Sequence, residues 1–80
     1  MCLLYGERIK QHARKLINSG TIRGLVIFRQ EDGVIEDIVN NEQQATLWML
    51  ENEPKDDSKY SITTIDLREI IDKEGIYYVK

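Results

Sequence analysis

This chain is poor in the residues that reactive sites are usually built from. It contains one cysteine (Cys2), one histidine (His12) and one proline (Pro54). A single thiol excludes an internal disulfide, and one histidine beside it excludes a Cys/His zinc cluster. The glycine signatures of a Walker loop, G-x-G-x-x-G and G-x-S-x-G are all missing, so nothing points to nucleotide cradling or a nucleophile elbow. No apolar run reaches the ~18 residues that a membrane span needs. The first residues, Met-Cys-Leu-Leu-Tyr-Gly-Glu-Arg, lack the basic start and extended apolar stretch of a secretory signal. With a lone thiol, this leads to an expected cytoplasmic location and no membrane partner.

What remains is a soluble type of composition, 41% hydrophobic and 31% charged over 80 residues. That is enough for one domain, residues 1–80, with a small core and a narrow stability margin. Small proteins widen that margin with disulfides, metals or a partner subunit. Here self-association is the route left.

Charge is sorted along the chain. Residues 1–30 carry six bases against one acid, net +5, and residues 31–80 carry five bases against thirteen acids, net −8. Such a chain is able to pair with itself or to present one face to an anion and another to a cation.

Apolar spacing predicts a helix over residues 5–19. Tyr5, Ile9, His12, Ala13, Leu16 and Ile17 share an arc of roughly 120°, and Gly20 closes it. Leu3 and Leu4 fall in a preceding turn or extended lead. Residues 22–30 and 34–39 are β-branched strands joined through Glu31-Asp32-Gly33. The run Leu25-Val26-Ile27-Phe28 marks a central strand covered on both faces. Gly24, inside that pattern, marks a bulge or a close backbone approach.

Asn40, with Gln43 in capping-box position, opens a second helix that runs to about Glu53 and stops at Pro54. Ala45, Trp48 and Met49 form one apolar arc on it, while Leu47 and Leu50 lie on another side, as in a helix packed on two sides. Tyr60–Ile65 is a third strand. Asp66 then caps a short helix to Lys73 closed by Gly75, with a hairpin over Leu67–Val79 as the rival reading. Ile76–Val79 is a final strand. The order α-β-β-α-β-(short α or turn)-β describes an α+β domain, with a mainly antiparallel sheet and helices packed on one face.

Candidate sites follow from the scarce and the clustered residues. His12 borders the apolar arc with no carboxylate or nucleophile specified beside it, which suits a boundary histidine. Cys2 is an incidental thiol near the terminus. The acids, with a Glu-x-Lys step at Glu53-Pro54-Lys55, are the ingredients of a Mg²⁺ nuclease, but a solvated acidic surface explains them more simply.

The leading expectation is therefore a small non-enzymatic protein-interaction module of the regulator, inhibitor or adaptor type, without cofactor or metal. It would self-associate as a dimer through Leu47, Trp48 and Leu50 of the second helix. The basic residues Arg8, Lys10, Arg14 and Lys15 would meet an acidic protein surface. In the alternative, the same four residues bind phosphates of a nucleic acid, although a pI near 5.1 is low for such a domain.

Overall fold

The computed structural model describes residues 2–52 and 59–79, which form an α+β domain of three helices and five strands. In chain order these are β1 (Cys2–Leu4), α1 (Glu7–Asn18), β2 (Arg23–Arg29), β3 (Ile35–Val39), α2 (Glu42–Asn52), β4 (Tyr60–Asp66), α3 (Leu67–Asp72) and β5 (Ile76–Tyr78). The main sheet has the order β3-β2-β4, antiparallel throughout. A second antiparallel pair, β1 with β5, joins the two ends of the chain.

β2 is central, as its unbroken apolar run predicts. Val26 and Phe28 point to one face, into a core with Leu3, Ile9, Ala13, Ile38, Ile65, Leu67 and Ile70. Ile27 points to the other, into a smaller core with Val39 and Ala45. The helices packed on one face are thus α1 and α3, and α2 covers the opposite face. Strand alternation requires this, because four successive apolar residues have no single side to share.

Local chemistry explains the element ends. α1 closes with the paired bonds of a Schellman motif, Gly20 N to Ile17 O and Thr21 N to Leu16 O. Gly24 serves a close approach, not a bulge. A Cβ there would stand 2.9 Å from Leu67 Cδ2 and 3.0 Å from Ile38 Cγ2. The bulge in the sheet lies further on, where β2 shifts register between Ile27 and Phe28.

The cap of α2 is Asn41, not Asn40. Asn41 Oδ1 accepts from Gln44 N at 2.9 Å, and Gln44 Oε1 reaches back to Asn40 N at 3.4 Å. The box sits one residue later than Asn40 and Gln43 suggest, because Val39 still completes the β3 ladder opposite Leu25. The stop at Pro54 lies outside the described residues. Asp66 caps α3, accepting from Arg68 N at 2.9 Å. Residues 67–72 form a helix, not the rival hairpin, since Leu67 and Ile70 are both buried one turn apart.

The start of the chain is more structural than its sequence suggests. Leu3 and Leu4 belong to a strand, and Leu3 is fully buried. Leu4 N donates to Gly33 O at 2.8 Å, and Tyr5 N to Gly75 O at 3.0 Å. Tyr5 Oη donates to Ile70 O at 2.8 Å, and burial raises that phenol's pKa. Gly33, at φ +75°, brings its backbone against Cys2 O, where a side chain would collide. Leu3→Ala is expected to cost about 3 kcal/mol in chemical denaturation, the range for truncating a fully buried leucine. A cost near zero would mean that β1 is not part of the folded core.

Candidate functional surfaces

The functional candidates expected from the sequence lie on the surface of α1 and α2. Among the described residues no three His, Cys, Asp or Glu side chains gather as a metal-ligand set. The tripeptide Glu53-Pro54-Lys55 lies outside the described residues, and Cys2 is half-buried in β1.

α2 presents two different sides. Ala45 is buried against Ile27 and Val39, with Trp48 and Met49 packed around it. The Trp48 and Tyr60 rings meet edge to face, centroids 4.9 Å apart. Leu47 and Leu50 lie far round the helix from Ala45 and are 54% and 76% exposed. Of the three contact residues expected on this helix, the two leucines come out together, and Trp48 turns inward to join the second core.

Two of the four basic residues of α1, Arg8 and Arg14, are engaged by their own molecule. Arg8 Nη2 donates to Glu36 O at 3.1 Å. Arg14 lies 3.5 Å from Glu7 Oε1, which also accepts from Gln11 Nε2 at 3.1 Å. Lys15 is exposed and Lys10 half-buried. His12 Nε2 is 2.8 Å from Ile38 O. A carbonyl only accepts, so Nε2 carries the proton. Asp37 Oδ1 is 3.5 Å from the same nitrogen. Charges sorted along the chain are thus interleaved in space. Arg29 pairs with Asp32 at 2.8 Å and lies 3.4 Å from Glu36.

The contacts from α1 have a structural consequence. In the β2–β3 ladder, Leu25 faces Val39 and Ile27 faces Asp37. Arg29 N bonds Val34 O further along the same odd-residue series. Antiparallel alternation turns the backbone groups of Ile38 to the outer edge, and at the register shift the Glu36 carbonyl faces the same way. The carbonyls of both are taken, by Arg8 and His12, and Ile38 N donates to Asp37 Oδ1 at 2.7 Å. Along this edge, three outward backbone groups are thus taken up by side chains of the same molecule.

The opposite edge, β4, is different. The bonds Leu67 N to Ile22 O and Gln30 N to Lys59 O fix which residues face β2. Ser61, Thr63 and Ile65 bond inward, so Tyr60, Ile62 and Thr64 turn their N–H and C=O outward. Gln30 Nε2 reaches Tyr60 O at 3.4 Å. Among the described residues nothing bonds the outward groups of Ile62 and Thr64. A groove of about 510 Å³ runs beside this edge, lined by Thr63, Thr64, Ile65, Tyr77, Tyr78 and Val79 among others. This surface did not emerge from the sequence reading. The signal was the uncharged, β-branched run Tyr60–Ile65, which lacks the charge, proline or bulge that usually guards an edge.

At the end of β4, Asp66 forms a fork with Arg68, Oδ2 to Nη2 at 2.7 Å. The hydrogen bonds from Arg68 lower the Asp66 pKa from 3.8 to about 2. Because the folded value lies below the unfolded one, this pairing favours the fold above pH 3.8 and the benefit is lost as pH falls towards 2. An NMR titration is expected to place the Asp66 carboxyl near 2, and Arg68→Ala to return it towards the ordinary range. An unshifted carboxyl in the unmodified protein would refute the fork.

No family model, curated protein or solved structure matches this chain.

Proposed function

We propose that this protein is a non-enzymatic protein-interaction module that self-associates through the outer side of α2. The observation that carries the reading is the pair Leu47 and Leu50, 54% and 76% exposed on a helix whose other side is already seated on the sheet. Both leucines sit one turn apart, so they form a single apolar strip and not scattered surface residues.

A second copy suits this strip. Gln43 and Thr46 beside the strip are neutral and Glu51 borders it on the Leu47 side, so two such helices packed about a two-fold axis bring few charges together. The gain is also physical. A domain of this size has a small core of its own, and covering exposed leucine area adds to its margin. Trp48 contributes from behind, since its contact with Tyr60 holds the helix against the sheet. A regulator, inhibitor or adaptor works by presenting such a surface, and the charged groups around it would set which partners approach.

Light scattering after size-exclusion chromatography tests this directly. The unmodified chain is expected to show a mass above 9.4 kDa that rises across micromolar concentrations. Leu50→Glu should lower that mass at every concentration and leave the circular dichroism spectrum unchanged. If the two proteins give the same mass profile, α2 is not the contact.

A further inference from the structure

The two edges of the main sheet are finished in opposite ways. β3 has its outward carbonyls bonded by Arg8 and His12, its Ile38 N–H bonded by Asp37, and acidic side chains at Glu36 and Asp37. β4 runs from Tyr60 to Asp66 with no charge before its last residue, no proline and an unbroken register to β2. Unprotected edges of this kind pair with another strand, which is why proteins guard the ones they do not use. From this contrast we infer that β4 pairs edge to edge with β4 of a second copy, antiparallel, making one six-stranded sheet from the two main sheets. This contact is separate from the α2 strip and does not depend on it.

The register follows from the backbone. Only the even-numbered residues of β4 turn their groups outward, so the pairing must set even residues against even ones. The arrangement that keeps all seven residues paired is centred on Thr63. It places Ile62 opposite Thr64 of the second copy, and Tyr60 opposite Asp66. Each Ile62–Thr64 pair exchanges two backbone hydrogen bonds, which satisfies the open groups of both residues. Any shift by two residues leaves part of a strand about 23 Å long unpaired.

The side chains agree with a second copy as occupant. Arg23 lies opposite Asp66, and Arg29 opposite Tyr60, within each chain. Across the joined sheets each outer row then runs Arg23, Asp66, Tyr60 and Arg29, the last two from the second copy. Asp66 stands between Arg23 of its own chain and the neutral Tyr60 of the second copy, so no like charges meet on neighbouring strands. Ile62, 40% exposed in one copy, packs opposite Thr64 on this face, and Thr63 meets Thr63 on the other. Such β-branched cross-strand pairs favour the sheet. On the other face, Ser61 and Thr63 of the second copy extend over the groove beside Tyr77 and Val79, which leaves room for the incoming strand.

The experiment uses the full chain carrying Leu50→Glu, so that the α2 strip is disabled while β4 is untouched. Light scattering is expected to show twice the single-chain mass of 9.4 kDa at high concentration. Adding Ile62→Lys, a charge at an already exposed position, should return the mass to one chain. Thr64→Pro should do the same, because it deletes an outward donor and spares the ladder to β2. Amide exchange on the unmodified protein gives a readout free of folding effects. The Ile62 and Thr64 amides are expected to exchange on the order of tenfold more slowly at high concentration than at low. A Leu50→Glu protein that stays at one-chain mass overturns the inference. So does a two-chain mass in which these amides exchange freely at every concentration. Neither result bears on α2, whose own test is the effect of Leu50→Glu on the unmodified chain.

Discussion

Four consecutive apolar residues, Leu25-Val26-Ile27-Phe28, cannot all point the same way in a strand, and the domain is arranged around that fact. Val26 and Phe28 require cover on one side and Ile27 on the other, so β2 needs helices on both faces and strands on both edges. β3 and β4 supply the edges. α1 and α3 supply the larger cover, and α2 the smaller. Close approach matters on the larger side, where Gly24 lets Leu67 and Ile38 near the backbone. Cover on the smaller side is narrower. α2 seats Ala45, Trp48 and Met49 and leaves Leu47 and Leu50 in water.

The ends of the chain close the larger core. β1 and β5 pair with each other, Leu3 fills a fully buried place, and Tyr5 ties the entry of α1 to the last turn of α3. For a chain of this length, such long-range closure replaces what disulfides do in other small domains. It brings residues more than sixty positions apart into one layer and fastens the short α3 between them.

Charge has a local role before it has any long-range one. Arg8 and His12 occupy the carbonyls of an edge strand, Arg29 braces the β2–β3 turn through Asp32, and Arg68 forks with the cap residue Asp66. Exposed ion pairs of this sort add little stability each. Their larger effect is geometric, since they decide which backbone edge is closed and which stays open. The basic α1 and the bare β4 are two outcomes of that arrangement. One guards its side of the sheet, and the other leaves a strand able to pair.

Much was legible in the residues themselves. The helix over α1, the central strand, the hairpin turn at Asp32-Gly33 and the Asp66 cap all follow from short-range patterning, where side-chain period and turn chemistry act within a few residues. The outward place of Leu47 and Leu50 was legible too, because helical angles are fixed by spacing. Other features were not. Leu3 and Leu4 carry no periodic signal in so short a strand. The α2 cap slipped by one residue, because the ladder to β2 holds Val39. Trp48 shares an arc with Ala45 and Met49, and contacts with the second core and Tyr60 turn it inward. The closed and open edges were invisible as well, since they depend on where α1 lands against β3. By itself the sequence determined the order of elements and the alternation that makes β2 central, because both arise from neighbours along the chain. Tertiary structure alone decided which helix covers which face and which strand is left open, because those choices rest on contacts between residues far apart in sequence.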